Sequence, residues 1–569
     1  MAASRRASAD HARAGARVSV GAPGLALSGG ARGSVWPGRP RGQWALASLA
    51  VAAVALAVAS LSLPSTPSYD PWAWLVWGRE ITHGRLHTLG GPSWKPLPVL
   101  FTTIFAPFAD AQPDLWLVVA RAGAALAVAL AFRLGWRLSR MLTPAWARTD
   151  PRASVRALRA VAPLLAGAIA AGSLLNSPAF ISDNALGYSE GLASALLLGA
   201  LDQILDRRPR AAFVLGFFAA LDRPELWFFW VPYGVLLMWR QRDARTLVLA
   251  AFGLVLLLWF VPELWGSGHL LRSVTRALRP GPNSAAFSSC PVCAEFRQVA
   301  WPQLLLRVKV PAIAAGLAAL WGAWRARPSR RERDPDHRQL HGGGAAADGV
   351  RPRVLLAALV CLGYLWWFGI AVETQAGFSG NVRYLVLGTA PLAVAGGVAW
   401  GWFALAAGDA VERLAAHGRW SRAALAAGAG LAIGLFLATP PWLGRNIVSL
   451  PQTRAALAYQ AHLRIDLAAL VRRFGRRRLL GCGNGAVMTG SLQVPMVAWY
   501  LRVRTLRIQQ QPPATRAPAP WPSVILQARA VPAAPLEPAP ATIRHWRSLG
   551  ARYERVERRT FTLLLDCRK

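Results

Sequence analysis

Apolar runs of about membrane-spanning length alternate along the chain with short arginine-rich stretches. A helix that crosses a bilayer needs about 20 mostly apolar residues at ~1.5 Å rise each. The runs 43–63, 115–136, 161–178, 185–205, 246–262, 303–324, 354–372, 384–406 and 424–440 meet or approach that length. Two shorter runs, 211–221 and 225–239, meet at "LDRPEL" and predict a tight hairpin of two helices. The pattern therefore predicts about eleven helices. The segment 97–108, "LPVLFTTIFAPF", is short and bounded by proline, so it is expected to lie along the membrane surface.

Charge gives this pattern a direction. The chain has 569 residues, is 54% hydrophobic and carries a formal charge of +37. A soluble protein does not combine those values, but a membrane protein with basic loops does. The basic residues sit between the apolar runs, so topology accounts for most of them and nucleic acid is not an expected partner. The preference for arginine over lysine, with abundant alanine, suggests a GC-rich bacterial genome. The tail 1–42 and the loop 133–160 each hold seven Arg and one Asp, and 325–353 holds eight Arg against four acids. Residues 64–114 and 176–190 carry no excess of base. The positive-inside rule then predicts a multi-pass protein of the bacterial inner membrane with a cytoplasmic N-terminus. Residues 1–42 read as a disordered basic tail, 43–440 as the transmembrane domain, and 441–569 as an extracytoplasmic domain.

The last segment has its own character. "RRRLLGCGNGAVM" followed by "VPMVAWYLRV" reads as an α/β alternation, so a small α/β domain is expected. "GCGNG" (481–485) is read as a tight turn, and the Pro- and Ala-rich stretch 511–540 as a flexible loop. Cys482 and Cys567 are a candidate staple for this domain. Cys290 and Cys293 ("CPVC") read as a local disulfide or two free thiols, because no strand-to-helix context surrounds them.

This topology gathers chemistry on one face. "SYDPWAWLVWGREI" (68–81) follows the first apolar run and brings Asp70, Arg79 and Glu80. Its Trp72, Trp74 and Trp77 are expected to act as interfacial anchors. Asp183 and Glu190 flank the turn before the fourth long run, and Lys95, Arg223 and Arg383 fall on the same side. Ionisable groups at a membrane boundary are costly and are functional candidates. Arginine grips phosphate through paired donors and lysine as a point charge. An acid among such cations suits a lipid phosphate and a hydroxyl awaiting activation.

The arrangement resembles the GT-C superfamily of membrane glycosyltransferases, in particular bacterial members similar to protein O-mannosyltransferases and aminoarabinose transferases. "SYDPWAWLVWGREITHGRL" is similar to the acidic opening of the first outer loop, with Asp70 as the acid. "PSWKPLPVLF" (92–101), "NALGYSEGLASALLLGAL" (184–201) and "AALDRPELW" (219–227) are similar to later parts of the pattern. The resemblance covers about residues 43–440. It implies transfer of a sugar from a polyprenyl-phosphate-linked donor to an acceptor hydroxyl at the outer face, the acceptor being a glycan, a lipid or a protein. Asp70 would be the general base. Glu80, Asp183 or Glu190 would supply a second acid or a ligand for Mg²⁺ or Mn²⁺, and Lys95, Arg223, Arg383 and Arg79 would bind the donor phosphate. Members of the superfamily with two adjacent acids depart from this chain, where Pro71 follows Asp70. A transporter or flippase of lipid-linked glycans and a non-catalytic envelope assembly protein are the alternative readings.

Overall fold

The computed structural model describes residues 41–149, 153–281, 284–300, 303–325, 344–414, 421–438, 448–510 and 521–568. The basic tail 1–40 and most of the loop 325–353 lie outside the described residues. The protein is a helical bundle with a small C-terminal α/β layer. The eleven expected helices are all present among the described residues. They are α1 (Arg41–Ala59), α4 (Gln112–Met141), α5 (Ala153–Leu175), α7 (Glu190–Leu205), α8 (Pro209–Asp222), α9 (Trp227–Arg240), α10 (Arg245–Ser267), α11 (Leu306–Arg325), α12 (Gly344–Gln375), α13 (Val386–Leu414) and α14 (Ser421–Ala438). Among the described residues, three further helices of eight or more residues lie between them: α2 (Tyr69–Thr82), α3 (Pro96–Phe105) and α6 (Pro178–Ala185). Among the described residues, six helical stretches are long and apolar enough to cross a membrane.

The segment expected at the membrane surface forms α3 and a following 3₁₀ turn, Ala106–Ala111. Ala109 there has φ +44°, which breaks the helix before α4 begins. The hairpin at "LDRPEL" also forms. Arg223 is extended ahead of Pro224, as the residue before a proline prefers, and Phe213 stacks on Trp230 at 5.0 Å. At 14 residues each, α8 and α9 are about 21 Å long, short against a ~30 Å hydrocarbon core.

The C-terminal layer contains α15 (Leu450–Phe474), α16 (Val494–Leu501), α17 (Pro540–Ser548) and six strands. These are β1 (Val487–Thr489), β2 (Ile508–Gln510), β3 (Val524–Arg529), β4 (Leu536–Glu537), β5 (Glu554–Glu557) and β6 (Phe561–Leu565). The order is β2-β1-β3-β6-β5, with β4 paired to β3. β1 runs parallel to β2 and β3, whereas β6 is antiparallel to β3 and β5. "GCGNG" is the expected turn: Gly485 N–H donates to Cys482 O at 2.8 Å, and Gly483 (φ +50°) and Gly485 (φ +71°) are left-handed. A Cβ at Gly483 would lie 2.4 Å from Ser523 Oγ. Both Cys482–Cys567 and Cys290–Cys293 are disulfides.

Two expectations are corrected here. The flexible loop placed at 511–540 contains β3, a central and buried strand; "SVILQA" is a short apolar run that pairs on both edges. Residues 511–520 lie outside the described residues. The tryptophans of α2 are not interfacial anchors. Trp72, Trp74 and Trp77 are buried, and Trp72 packs on Trp499 of α16 at 5.2 Å. Trp74 meets Trp116 edge-on and Trp77 meets Trp94, each at 5.5 Å. The C-terminal layer covers this helix, so the rings face protein. Arg464 on α15 adds a bidentate pair with Asp114 on α4, at 2.6 and 3.3 Å.

Candidate functional site

The site is built from the ends of six elements. Ser68 precedes α2 in extended geometry, and its N–H donates to Leu186 O at 2.9 Å. That bond holds the start of α2 beside the turn that leads into α7. Asp70 occupies the first turn of α2, where the helix dipole favours a carboxylate, and Pro71 costs no hydrogen bond at this position. Asp70 is 5% exposed, and Arg383 Nη2 lies 2.6 Å from its Oδ2. Arg383 belongs to the 3₁₀ turn Val382–Leu385 that opens α13. Its guanidinium stacks 4.3 Å from the Tyr188 ring and 5.3 Å from the Tyr384 ring. Ser68 Oγ and the Tyr188 hydroxyl are hydrogen-bonded at 3.1 Å.

Tyr384 joins this pair to a second group, because the Arg223 guanidinium lies 4.5 Å from the same ring. Arg223 pairs directly with Glu190, the first residue of α7, and Glu190 is 0% exposed. Lys95 precedes α3 and reaches the same place. Its Nζ is 3.6 Å from Glu190 Oε1, 3.1 Å from Ser189 Oγ and 4.0 Å from Asp222 Oδ1. Asp222 adjoins Arg223 in the chain. Arg223 instead engages Glu190, with Glu225 at 3.7 Å, while Asp222 faces Lys95.

Buried charges cost several kcal/mol each unless paired, so three carboxylates and three cations offset one another here. The pairing is incomplete. Among the described residues, the donors Arg383 Nη1 and Arg223 Nε and the acceptors Glu190 Oε2 and Asp222 Oδ1 and Oδ2 are buried without a hydrogen-bond partner. Buried donors of this kind call for an explanation, and an anionic ligand supplies one.

Asp183 stands at the edge of the cluster on α6. Burial and the negative charge of Glu190 push its carboxyl up to about 7, against the opposing pull of Arg383. Asp183 and Tyr188 line a cleft of about 240 Å³ that runs from Ser68 and Trp72 to Gln460, Gln493 and Met496 of the C-terminal layer. The cleft has a carboxylate, hydroxyls and amides but no Lys or Arg among its lining residues.

Two sequence candidates stand apart from this cluster. Glu80 lies ten residues beyond Asp70 on α2, about 15 Å along the axis. Its Oε2 accepts the His87 N–H at 2.9 Å, and burial pushes its carboxyl up to about 7. Arg79 donates to the carbonyls of Trp499 and Val503, both at 3.0 Å, and so ties α2 to the C-terminal layer. Nine residues at 100° each place Arg79 on the opposite side of the helix from Asp70. The candidate metal set of Asp70, Asp183 and Glu190 is not gathered as a ligand set. Arg383 occupies Asp70 and Arg223 occupies Glu190, and among the described residues no three His, Cys, Asp or Glu side chains converge to hold an ion.

Tyr188 and Tyr384 are site residues that sequence reasoning passed over. A signal was present: the chain has 26 Trp but only 8 Tyr, and these two adjoin "SE" at 189–190 and Arg383. The sequence matches no protein-family model and no curated protein. Among solved structures it is similar to the crystal structure of ArnT from Cupriavidus metallidurans bound to undecaprenyl phosphate. The identity is 13%, over 92% of this chain and 98% of that one, with a TM-score of 0.44. The likeness concerns the course of the chain, not the role of any residue.

Proposed function

We propose that this protein is a membrane glycosyltransferase that moves a sugar from a polyprenyl-phosphate-linked donor to an acceptor hydroxyl at the extracytoplasmic face. The observation that carries this reading is the single buried cluster in which Asp70, Lys95, Arg223 and Arg383 meet, with cationic donors left over. In the reaction the acceptor oxygen attacks the anomeric carbon and the carbon–oxygen bond to phosphate breaks. Asp70 takes the hydroxyl proton. Arg383 holds Asp70 Oδ2 and fixes the carboxylate, so that Oδ1 meets the acceptor. The polyprenyl phosphate leaves as an anion and needs positive charge rather than an acid, which Lys95, Arg223 and the free Nη1 of Arg383 supply. One displacement inverts the anomeric configuration. Glu190 and Asp222 keep the cations gathered when no phosphate is bound.

The acceptor approaches through the cleft shared with the C-terminal layer. The lining of the cleft favours a neutral polyhydroxylated acceptor. The orientation rests on arginine placement: the basic residues Arg133 and Arg137 lie at the other end of α7 from Glu190.

The test uses the purified protein in proteoliposomes with polyprenyl-phosphate-linked sugars and an envelope glycan extract. Release of polyprenyl phosphate coupled to glycan labelling is expected from the wild type and not from Asp70→Asn. Equal coupled release by the variant refutes the assignment of Asp70.

A further inference from the structure

Away from this cluster, Arg307 opens a different question. It lies in the second residue of α11, is 5% exposed, and lines a groove of about 340 Å³ between α5, α11 and α14. The walls are mostly apolar, formed by Leu165, Ile169, Leu305, Ile433 and Leu437, with the neutral polar Ser173 and Asn176 beside them and no carboxylate. Arg307 donates one N–H to Phe436 O, and its guanidinium stacks 4.3 Å from the Phe436 ring. Its Nε is buried without a partner. Among the described residues no acid pairs with Arg307, so a guanidinium held by a carbonyl and a ring in a mostly apolar wall keeps an uncompensated charge. That arrangement is costly unless an anion completes it.

Depth identifies the anion. Arg307 and Arg325 are 18 residues apart on α11, about 27 Å along the axis, close to the ~30 Å hydrocarbon thickness. Arg325 leads into the arginine-rich stretch 325–353, so Arg307 marks the headgroup level of the other leaflet. Helices α5 and α14 end near the same level, at Leu175 and Ala438. The groove opens sideways past Ile433 (43% exposed) and Leu437 (53% exposed), which face the bilayer in this topology.

We infer that this groove binds a glycerophospholipid, with the lipid phosphate on Arg307 and an acyl chain along α5 and α14. The site is separate from the Asp70 cluster and does not depend on the proposed reaction.

The test is lipid retention by the full-length protein, purified in mild detergent and titrated with dioleoyl phosphatidylglycerol or dioleoylglycerol under native mass spectrometry. Phosphatidylglycerol adducts are expected on the wild type at one tight site, and dioleoylglycerol, which lacks the phosphate, should not displace them. Arg307→Gln should lower tight-site occupancy at least tenfold, whereas Arg413→Gln, at an exposed position, should not. Ile433→Trp fills the groove without touching the charge and should also expel the lipid, which decides the matter if Arg307→Gln fails to fold. Unchanged retention by Ile433→Trp or by folded Arg307→Gln, or equal binding of dioleoylglycerol, would overturn the inference.

Discussion

Helix α7 carries a charged cluster at each end, and the two differ in how fully they are paired. At the far end, Asp202 receives Arg133 Nε at 3.1 Å and Arg137 Nη1 at 2.6 Å, and Arg137 also reaches Asp206. No buried donor or acceptor of Arg133, Arg137, Asp202 or Asp206 is left without a partner among the described residues. At the near end, Glu190 shares one oxygen between Arg223 and Lys95, and its other oxygen has no partner. The guanidinium of Arg223 has an unused Nε, and Arg383 has an unused Nη1. One end closes its hydrogen bonds within the protein and behaves as structure. The other leaves them open in a dry site and is arranged for a ligand. Counting ion pairs would rate the two ends alike; counting unmet donors separates them.

Substitutions sharpen that contrast. Asp70→Asn keeps the shape of the near end but removes the proposed base, and transfer is expected to fall about 10²–10⁴-fold with membrane insertion unchanged. Transfer is the readout, and a loss under threefold would break the comparison. Arg223→Ala leaves Glu190 buried beside Lys95 alone. It should cost about 3–5 kcal/mol of stability as well as transfer, read as thermal unfolding and polyprenyl phosphate release. Asp202→Asn at the far end should cost about 1 kcal/mol and leave transfer within a few-fold. A far-end variant that abolished transfer without unfolding would remove the distinction between the ends.

The edge of the near cluster should also respond to pH. The Asp183 carboxyl is pushed up to about 7 from a usual 3.8. The folded protein therefore holds that proton between about pH 4 and 7, while the unfolded chain has lost it. With the folded state binding more protons, stability falls as pH rises through this window. Asp183→Asn should flatten that decline, measured as the melting temperature between pH 5 and 7. A decline of the same slope in the variant would assign it to Glu80, whose carboxyl is also pushed up to about 7.

Most of the bundle was legible in the chain. Apolar run length and the arginine-rich breaks predicted all eleven helices, because a spanning helix satisfies its backbone internally and its need for apolar residues is local. The hairpin at Arg223–Pro224 and the glycine turn at 481–485 were legible for the same reason: proline and glycine fix the backbone where they stand. Clustering on one face also followed from topology, since Asp70, Lys95, Asp183, Glu190, Arg223 and Arg383 all fall in segments between basic loops.

Which of those charges touch was decided by the tertiary structure alone. Arg79 and Glu80 share a segment with Asp70, but helix phase and rise carry them about 13–15 Å away, Arg79 to carbonyls of the C-terminal layer and Glu80 to the His87 N–H. Three tryptophans that sequence places at a lipid boundary are core, Trp72 against α16, Trp74 against Trp116 of α4 and Trp77 against Trp94. Tyr384 matters because two arginines from distant segments share its ring. Sequence determines what lipid and local backbone demand of each segment; contacts between segments depend on packing angles and distances that no single segment encodes.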